Sequence, residues 1–141
     1  MNVVFIAPPA AGKGTQATLL RDNYNFYHIS TGDVLREIAE TNTPLGCEIK
    51  ALIDNGKLVS DELMAKLLKE KIGSLGNVKG IIFDGFPRTL EQAHMLDEIL
   101  NEVGMKVNKV IYFDIDKDTA MKRALGRVTC KDCGEIYNTY F

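Results

Sequence analysis

The chain has 141 residues and a mass of 15.7 kDa, which suffices for one domain but not for two domains with large separate cores. Hydrophobic residues make up 45% and charged residues 26%, which excludes a disordered, collagen-like or disulfide-rich chain. The formal net charge is -2, so no overall field attracts nucleic acid or a membrane, and any anion site must be built locally.

Strand-like and helix-like segments alternate along the whole chain. Continuous apolar runs predict strands over residues 2–6, 27–29, 80–83 and 109–113. Apolar residues at helical spacing predict helices over residues 13–24, 31–40, 45–54, 61–75, 90–102 and 117–125. Strands that are apolar throughout are typical of a parallel sheet with both faces covered. We therefore expect an α/β fold with a doubly wound parallel sheet, in which the two helices within residues 45–75 form an extra, separate pair.

The cellular compartment is predicted from what the sequence lacks. No apolar run reaches the roughly 18 residues of a membrane-spanning helix, and residues 2–6 resemble a strand rather than a basic leader. Cys47, Cys130 and Cys133 do not have the spacing of a secreted disulfide framework. We therefore expect a cytoplasmic protein.

The segment APPAAGKGT, residues 7–15, lies between the first strand and the first helix. At such a helix start, backbone N–H groups can surround a phosphate, with Lys13 as a point charge and Thr15 as a hydroxyl near a metal ion. The alternative is a tight turn in which Gly12 and Gly14 serve only the backbone and Lys13 is solvated. The strand and helix on either side favour phosphate binding.

The segment STGDVLR, residues 30–36, follows the second strand. Ser30 and Asp33 fit an N-terminal capping box, and Arg36 fits an exposed helix charge. By itself, this segment is better explained by helix structure than by function.

The segment FDGFPRTLEQ, residues 83–92, lies at the carboxyl end of the third strand, where open parallel sheets bind ligands. Thr89 and Gln92 fit a capping box, but that structure leaves Asp84 and Arg88 unexplained. A carboxylate that follows a buried strand needs a partner or a metal, and arginine binds phosphate oxygens with a planar fork. This segment favours a functional site.

Two patterns near the end of the sequence leave alternatives open. Arg123 and Arg127, four residues apart on the predicted last helix, form either a phosphate clamp or an ordinary pair of exposed charges. Cys130 and Cys133 have the spacing of half a four-sulfur zinc site, but no second Cys-x-x-Cys pair or His follows them. They are either half of a zinc site or two free thiols.

Taken in this order, these segments resemble the adenylate kinases, specifically the bacterial type whose lid can bind zinc. STGDVLR and DGFPR are the most specific signatures, and the resemblance covers nearly the whole chain. It implies a P-loop nucleoside-monophosphate kinase fold and the reaction ATP + AMP ⇌ 2 ADP, with Mg²⁺ bound together with ATP. Positioning and charge neutralisation govern such in-line transfer, which needs no protein nucleophile.

The resemblance also implies roles for individual residues. The ATP-binding residues would be Ala10, Ala11, Gly12, Lys13, Gly14, Thr15 and Arg127. The AMP-binding residues would be Thr31, Arg36, Lys57, Leu58, Val59, Gly85, Phe86, Pro87, Arg88 and Gln92. The catalytic residues would be Lys13, Arg88, Arg123 and Asp84, with Asp84 and Asp33 ordering the waters around Mg²⁺. Cys130 and Cys133 would be the first two ligands of a structural Zn²⁺.

The implied organisation is a core of residues 1–29 and 60–125, an AMP-binding flap of residues 30–59 and the start of a lid at residues 126–141. The implied partners are ATP and AMP or ADP, without nucleic acid or membrane. Two alternatives remain: a non-catalytic adenine-nucleotide-binding fragment, and a pyrimidine nucleoside-monophosphate kinase. Thr31 with Gln92 resembles a pair that recognises adenine, and this disfavours the pyrimidine kinase.

The chain departs from the family pattern in two respects. Ala7 and Ala10 stand where the family usually has glycine, so we expect weakened but retained ATP binding. The resemblance also breaks off inside the lid, before the second zinc pair, the last strand and the C-terminal helix. We therefore expect a fragment of low catalytic competence that self-associates through an exposed edge at residues 109–113 or through a shared zinc site.

Overall fold

Four parallel strands form the centre of the structure, a computed structural model that describes residues 1–141. They are β1 (Val3–Ile6), β2 (Phe26–Ser30), β3 (Gly80–Asp84) and β4 (Lys109–Tyr112), and their order across the sheet is β2-β3-β1-β4. The chain after β1 crosses to one side of the sheet, and the chain after β3 crosses to the other. A crevice therefore opens at the carboxyl ends of β1 and β3, where doubly wound sheets bind ligands.

Six helices connect and cover these strands. They are α1 (Lys13–Tyr24), α2 (Thr31–Ala39), α3 (Pro44–Asp54), α4 (Asp61–Gly73), α5 (Leu90–Glu102) and α6 (Lys117–Leu125). Side-chain oxygens of Thr43, Ser60, Thr89 and Asp116 accept a backbone N–H three residues later and so start α3 to α6. The predicted α/β fold with a parallel sheet is confirmed. None of the helices is long and apolar enough to cross a membrane.

The sheet is buried on both faces, as its apolar strands predict. Val4 and Phe83 belong to a cluster of 14 buried residues on one face, and Val3 and Phe5 belong to a cluster of four on the other. Each large apolar side chain fully removed from water stabilises the fold by about 1.5–3 kcal/mol. The two clusters hold the carboxyl ends of the strands in fixed positions.

The helices within residues 45–75 do not form a separate pair, so that prediction is wrong. Leu67, Leu68 and Ile72 on α4 and Ile49 on α3 belong to the same large cluster as Phe83 in the sheet. The apolar stripe of α4 is the reason, because it packs against α5 and the sheet rather than against α3 alone.

A short antiparallel hairpin follows α6 and was not predicted. Its strands are β5 (Arg127–Thr129) and β6 (Ile136–Asn138), and Cys130 and Cys133 lie in the turn between them. Strand β4 is an edge of the parallel sheet, and its Val110, Ile111 and Tyr112 side chains are exposed. The exposed apolar edge expected at residues 109–113 is present.

Candidate functional site

The loop between β1 and α1 has the geometry of an anion site. Ala10 and Gly12 adopt left-handed conformations with φ of 63° and 87°, and Lys13 begins the helix. No side chain caps α1, and its first turn contains no acidic residue. The first N–H groups of the helix and its positive end are therefore available to a phosphate.

Lys13 and His28 both bind the carboxylate of Asp84. The Lys13 Nζ lies 2.5 Å from Asp84 Oδ1, and the His28 Nε2 lies 2.9 Å from Asp84 Oδ2. Burial acts to raise the pKa of the Asp84 carboxyl, but the hydrogen bonds from His28 and Lys13 outweigh it and hold that pKa below its ordinary value. Asp84 is therefore a charged acceptor, only 13% exposed, at the carboxyl end of β3.

Sequence reasoning found Asp84 and Lys13 but missed His28. The only signal was a polar residue between Tyr27 and Ile29 in a short apolar strand. His28 and Asp84 meet because β2 pairs directly with β3, with Ser30 opposite Asp84. The strand order supplies this contact, and the sequence pattern does not specify that order.

Gly85 allows two of the predicted AMP-site residues to approach each other. It has a φ of 89°, and a Cβ built on it would lie 2.7 Å from Thr31 Oγ1 and 3.4 Å from an Arg88 guanidinium nitrogen. Arg88 Nε donates a hydrogen bond of 2.9 Å to the Gly85 carbonyl oxygen. The buried Phe86 anchors the segment in the core. Thr31, Gly85 and Arg88 therefore converge where α2 begins beside the end of β3.

Gln92 is held at both ends of its side-chain amide. Its Oε1 accepts a 2.7 Å hydrogen bond from the Arg88 backbone N–H, and its Nε2 donates a 2.8 Å hydrogen bond to Asp61 Oδ1. Thr89 Oγ1 accepts from the Gln92 backbone N–H at 3.2 Å, as a capping residue does. The Gln92 side chain binds the N–H of Arg88 rather than that of Thr89, so the predicted capping box is only half formed. Asp61 was not identified from the sequence.

One cavity of about 1170 Å³ joins the phosphate loop to the segment after β3. Lys13 and Arg88 both line it, together with Thr15, Gly85 and Arg127. The predicted ATP-side and AMP-side cations therefore face a shared cleft at the carboxyl edge of the sheet.

A neighbouring cavity of about 710 Å³ lies between the phosphate loop and the hairpin. Arg123, Arg127, Ile136 and Tyr137 line it. The placement of Arg127 on the last helix is wrong, because α6 ends at Leu125 and Arg127 begins β5. The two arginines meet across a helix–hairpin junction, not along a helical face. Ile136 and Tyr137 were missed because the short hairpin has no clear periodic signal.

Other predicted residues lie apart from this cleft. Arg36 pairs with Asp33 on α2 and lines a separate cavity of about 490 Å³ between α2 and α3. The Ser30 side chain makes no capping bond, so the proposed capping box at Ser30 and Asp33 is absent. Lys57 and Leu58 are exposed before α4 and line none of these three cavities, whereas Val59 packs against the main core.

The Cys130 to Cys133 turn has features of a metal-binding knuckle. Backbone N–H groups of Cys133 and Asp132 hydrogen-bond to the Cys130 sulfur and lower the pKa of that thiol. Gly134, with a φ of 74°, donates its N–H to the Cys130 carbonyl oxygen at 3.0 Å and closes the turn. No group of three or more His, Cys, Asp or Glu side chains is arranged around a metal position, so the turn offers half of a tetrahedral site.

Comparisons with known proteins identify one family. The adenylate kinase family model matches residues 5–138. A curated adenylate kinase of Rhizorhabdus wittichii is 45% identical over all 141 residues, which cover 66% of that protein. Adenylate kinases of Thermodesulfovibrio yellowstonii and Bacillus subtilis are each 45% identical over the same 141 residues, which cover 66% and 65% of them. The chain thus spans just under two thirds of the length of these relatives.

Proposed function

Because the chain belongs to the adenylate kinase family, we propose that it binds ATP and AMP and transfers a phosphoryl group reversibly between them to give two ADP. The observation that carries this proposal is the shared cavity, in which Lys13 from the end of β1 faces the same space as Arg88 beyond β3. Two phosphate tails entering from these sides would meet end to end, as in-line transfer requires.

The phosphate loop would bind ATP through its backbone. The N–H groups from Ala10 to Thr15 and the N-terminus of α1 offer donors and positive potential to the β- and γ-phosphates. Lys13 would exchange its ion pair with Asp84 for a contact with the transferred group. Arg123 and Arg127 would neutralise charge from the opposite side, and Ile136 and Tyr137 would provide an apolar wall beside the loop.

The residues around Asp84 fit a magnesium ion. Asp84 offers carboxylate oxygens, and Thr15 offers a hydroxyl in the cavity lining, which are the hard oxygen donors that Mg²⁺ prefers. Asp33, the other predicted water-ordering residue, would first have to leave Arg36. When bound with ATP, the ion would neutralise phosphate charge. The protein's own part would be to keep Asp84 ionised, through His28 and, before ATP binds, through Lys13 as well.

The AMP site would form around Thr31, Gly85 and Arg88. The Arg88 guanidinium would bind the α-phosphate, and Gln92 would pair its amide with adenine. Arg36 and the backbone of residues 57–59 would join only when the segment of residues 30–59 moves toward the cleft, so that this segment would act as a flap. Its closure, with the lid that begins at residue 126, would exclude water as a competing acceptor.

We propose that zinc binds at a site shared between two chains. The lowered pKa of Cys130 favours the thiolate, and each chain supplies two sulfurs where structural zinc takes four. Two hairpins would complete one site and join two chains. The exposed β4 edge is a second surface for self-association. We propose the cytoplasm as the compartment.

Binding of a bisubstrate analogue that joins two adenosines through phosphates tests the proposal directly. We expect the 141-residue chain to bind it more tightly than either nucleotide alone, because both ends of the cavity are engaged. A coupled ADP assay then separates an enzyme from a nucleotide-binding module: Arg88→Ala abolishes transfer in the first and only weakens binding in the second. An analogue affinity no better than that of ATP would contradict the two-site proposal.

The same assay tests the pyrimidine alternative. Thr31 and the amide of Gln92 favour adenine, so AMP is the expected acceptor, with UMP and CMP poor substitutes. Equal turnover with UMP or CMP would show that this choice of base is wrong.

A further inference from the structure

The amide of Gln92 has only one orientation that satisfies both of its partners. The Arg88 backbone N–H can only donate, so it requires Oε1 on its side. The Asp61 carboxylate oxygen accepts, so it requires Nε2 on the other side. Asp61 lies on α4 and Gln92 on α5, and their hydrogen bond is partly buried. If the amide turned by 180°, its NH2 group would face the Arg88 N–H and its oxygen would face the Asp61 carboxylate.

This fixed orientation determines which hydrogen-bond donor and acceptor of Gln92 remain free for a ligand. A side-chain amide has two acceptor and two donor positions, and the two partners use one of each. One lone pair of Oε1 and one N–H of Nε2 therefore remain, at positions that cannot exchange. A purine with a 6-amino group presents a donor there, whereas a 6-oxo purine presents an acceptor. A glutamine that turned freely could pair with either.

We propose that Asp61 is a positioning residue for base selection, which holds Gln92 so that its oxygen accepts from the 6-amino group of adenine and meets a 6-oxo group with repulsion. The inference rests on the proposed function, since it assumes that Gln92 faces the base of the bound monophosphate. Asp61 acts through Gln92 and needs no contact with the ligand. A site whose polar groups are already oriented discriminates between bases more strongly than one that adapts.

The alternative role of Asp61 is structural and has its own control. Asp61 and Glu62 both lie in the first turn of α4, where either carboxylate stabilises the positive end of the helix. Glu62 is exposed and makes no side-chain hydrogen bond or ion pair. Glu62→Gln therefore removes the same charge from the same turn without touching Gln92.

The experiment measures AMP and inosine 5′-monophosphate binding to the 141-residue chain by calorimetry. We expect the wild type and Glu62→Gln to prefer AMP by the same ratio. Asp61→Ala should reduce that ratio by about tenfold, because one of the two groups that prevent the amide from turning is gone. Asp61→Asn is isosteric, can donate as well as accept, and should reduce the ratio by a smaller factor even if Asp61→Ala does not fold.

The outcomes separate this inference from the proposed function. A wild type that binds neither monophosphate contradicts both. A wild type that prefers AMP, with Asp61 variants that weaken AMP and inosine monophosphate equally, contradicts the inference alone. The side-chain amide resonance of Gln92 in the free protein gives a second readout: it should shift in Asp61→Asn and not in Glu62→Gln, and an unshifted resonance would exclude the role of Asp61.

Discussion

Ala10 carries backbone strain in the phosphate loop. Its φ of 63° is a left-handed conformation that costs a residue with a Cβ about 1–2 kcal/mol, whereas Ala7 has no positive φ. Such strain would lower the population of the loop conformation that surrounds a phosphate, and we therefore expect it to weaken binding. Of Ala7 and Ala10, we therefore expect only Ala10 to affect the proposed binding of ATP.

We expect Ala10→Gly to tighten ATP binding by about five- to thirtyfold, because it removes this strain. Ala7→Gly is the matched control, and it should leave ATP affinity unchanged while lowering stability slightly through the greater freedom of the unfolded chain. Calorimetric titration with ATP measures both. An unchanged dissociation constant in Ala10→Gly would show that the loop is not limited by its backbone.

Asp84 makes stability depend on pH in a defined direction. Its pKa is held below the ordinary value of about 3.9, so the ionised carboxylate stabilises the fold above that pH, and the stabilisation is lost as the pH falls through the lowered pKa. Removing His28 removes the largest of the interactions that lower this pKa. The change should therefore raise the pKa of Asp84.

We expect His28→Leu to reduce the free energy of unfolding at pH 7 by about 1.5–3 kcal/mol, the usual value of a hydrogen bond to a charged group. The loss should shrink as the pH falls below the ordinary Asp pKa and through the lowered pKa of Asp84. Urea unfolding from pH 7 to pH 3 measures it, with the carboxyl carbon resonance of Asp84 as a direct titration. His94→Leu, an exposed change on α5, is the control. Equal losses at both pH values would contradict the ionic origin.

The site residues that lie in recognisable sequence motifs could be predicted from the sequence. The residues that hold them in place by hydrogen bonds could not. Lys13, Asp84, Arg88 and Gln92 lie in recognisable segments next to strand ends or helix starts. His28 is 56 positions from Asp84, and its contact depends on which strand neighbours β3. Asp61, 31 positions from Gln92, resembles any first-turn helix acid. Such contacts follow from tertiary packing, which local patterns do not encode.

At the scale of elements, Asn138 ties the hairpin to the end of α6. Its Nδ2 donates to the carbonyl oxygens of Lys122 and Arg123 at 3.3 and 3.1 Å, and its Oδ1 accepts from the Tyr140 N–H at 2.8 Å. Both carbonyls belong to the last turn of the helix, where the Lys122 carbonyl also accepts the Gly126 N–H at 2.9 Å. Asn138 thus holds β6, with Ile136 and Tyr137, beside the phosphate loop.

We expect Asn138→Ala to weaken ATP binding by about fivefold, the equivalent of one lost hydrogen bond, and to leave AMP binding unchanged. Gly126→Ala should act in the same way, because its Cβ would lie 2.5 Å from the Tyr140 ring while its φ of -82° suits alanine. Separate calorimetric titrations with ATP and AMP measure the difference, with Asn101→Ala on α5 as the control. Equal weakening of both nucleotides would indicate general destabilisation instead.

Long elements were predictable to within about two residues, whereas packing between them was not. Helix α5 and strand β4 have clear apolar periods or runs and strong flanking turns. Strands β5 and β6 have three residues each, are mostly exposed and form only as a pair, so neither the hairpin nor the position of Arg127 on it was predicted. Helix α4 itself was predicted, but its packing was not, because an apolar helix face fits a partner helix as well as a sheet.

At the scale of the whole molecule, the positions of Cys130 and Cys133 predict that zinc binding is coupled to dimer formation. The cysteine turn lies at the tip of an exposed hairpin, and Cys133 is exposed while Cys130 has a lowered thiol pKa. A tetrahedral zinc site with only sulfur ligands needs four thiolates, and one turn supplies two. Two chains that meet at their hairpins can complete one site without moving either core.

We expect zinc to bind at one ion per two chains and to convert monomers into dimers, as measured by metal analysis and light scattering with and without a chelator. Cys130→Ser and Cys133→Ser should each abolish zinc binding and zinc-dependent dimerisation. Cys47→Ser should change neither, because Cys47 lies on α3 away from the turn. A dimer that survives the chelator would point to the exposed β4 edge as the contact, and zinc bound to a monomer would exclude the shared site.

Zinc affinity should also depend on pH, because the cysteine ligands lose their protons when the metal binds. The affinity should fall as the pH is lowered, and the lowered pKa of Cys130 should make that fall begin at a lower pH than for an ordinary pair of thiols.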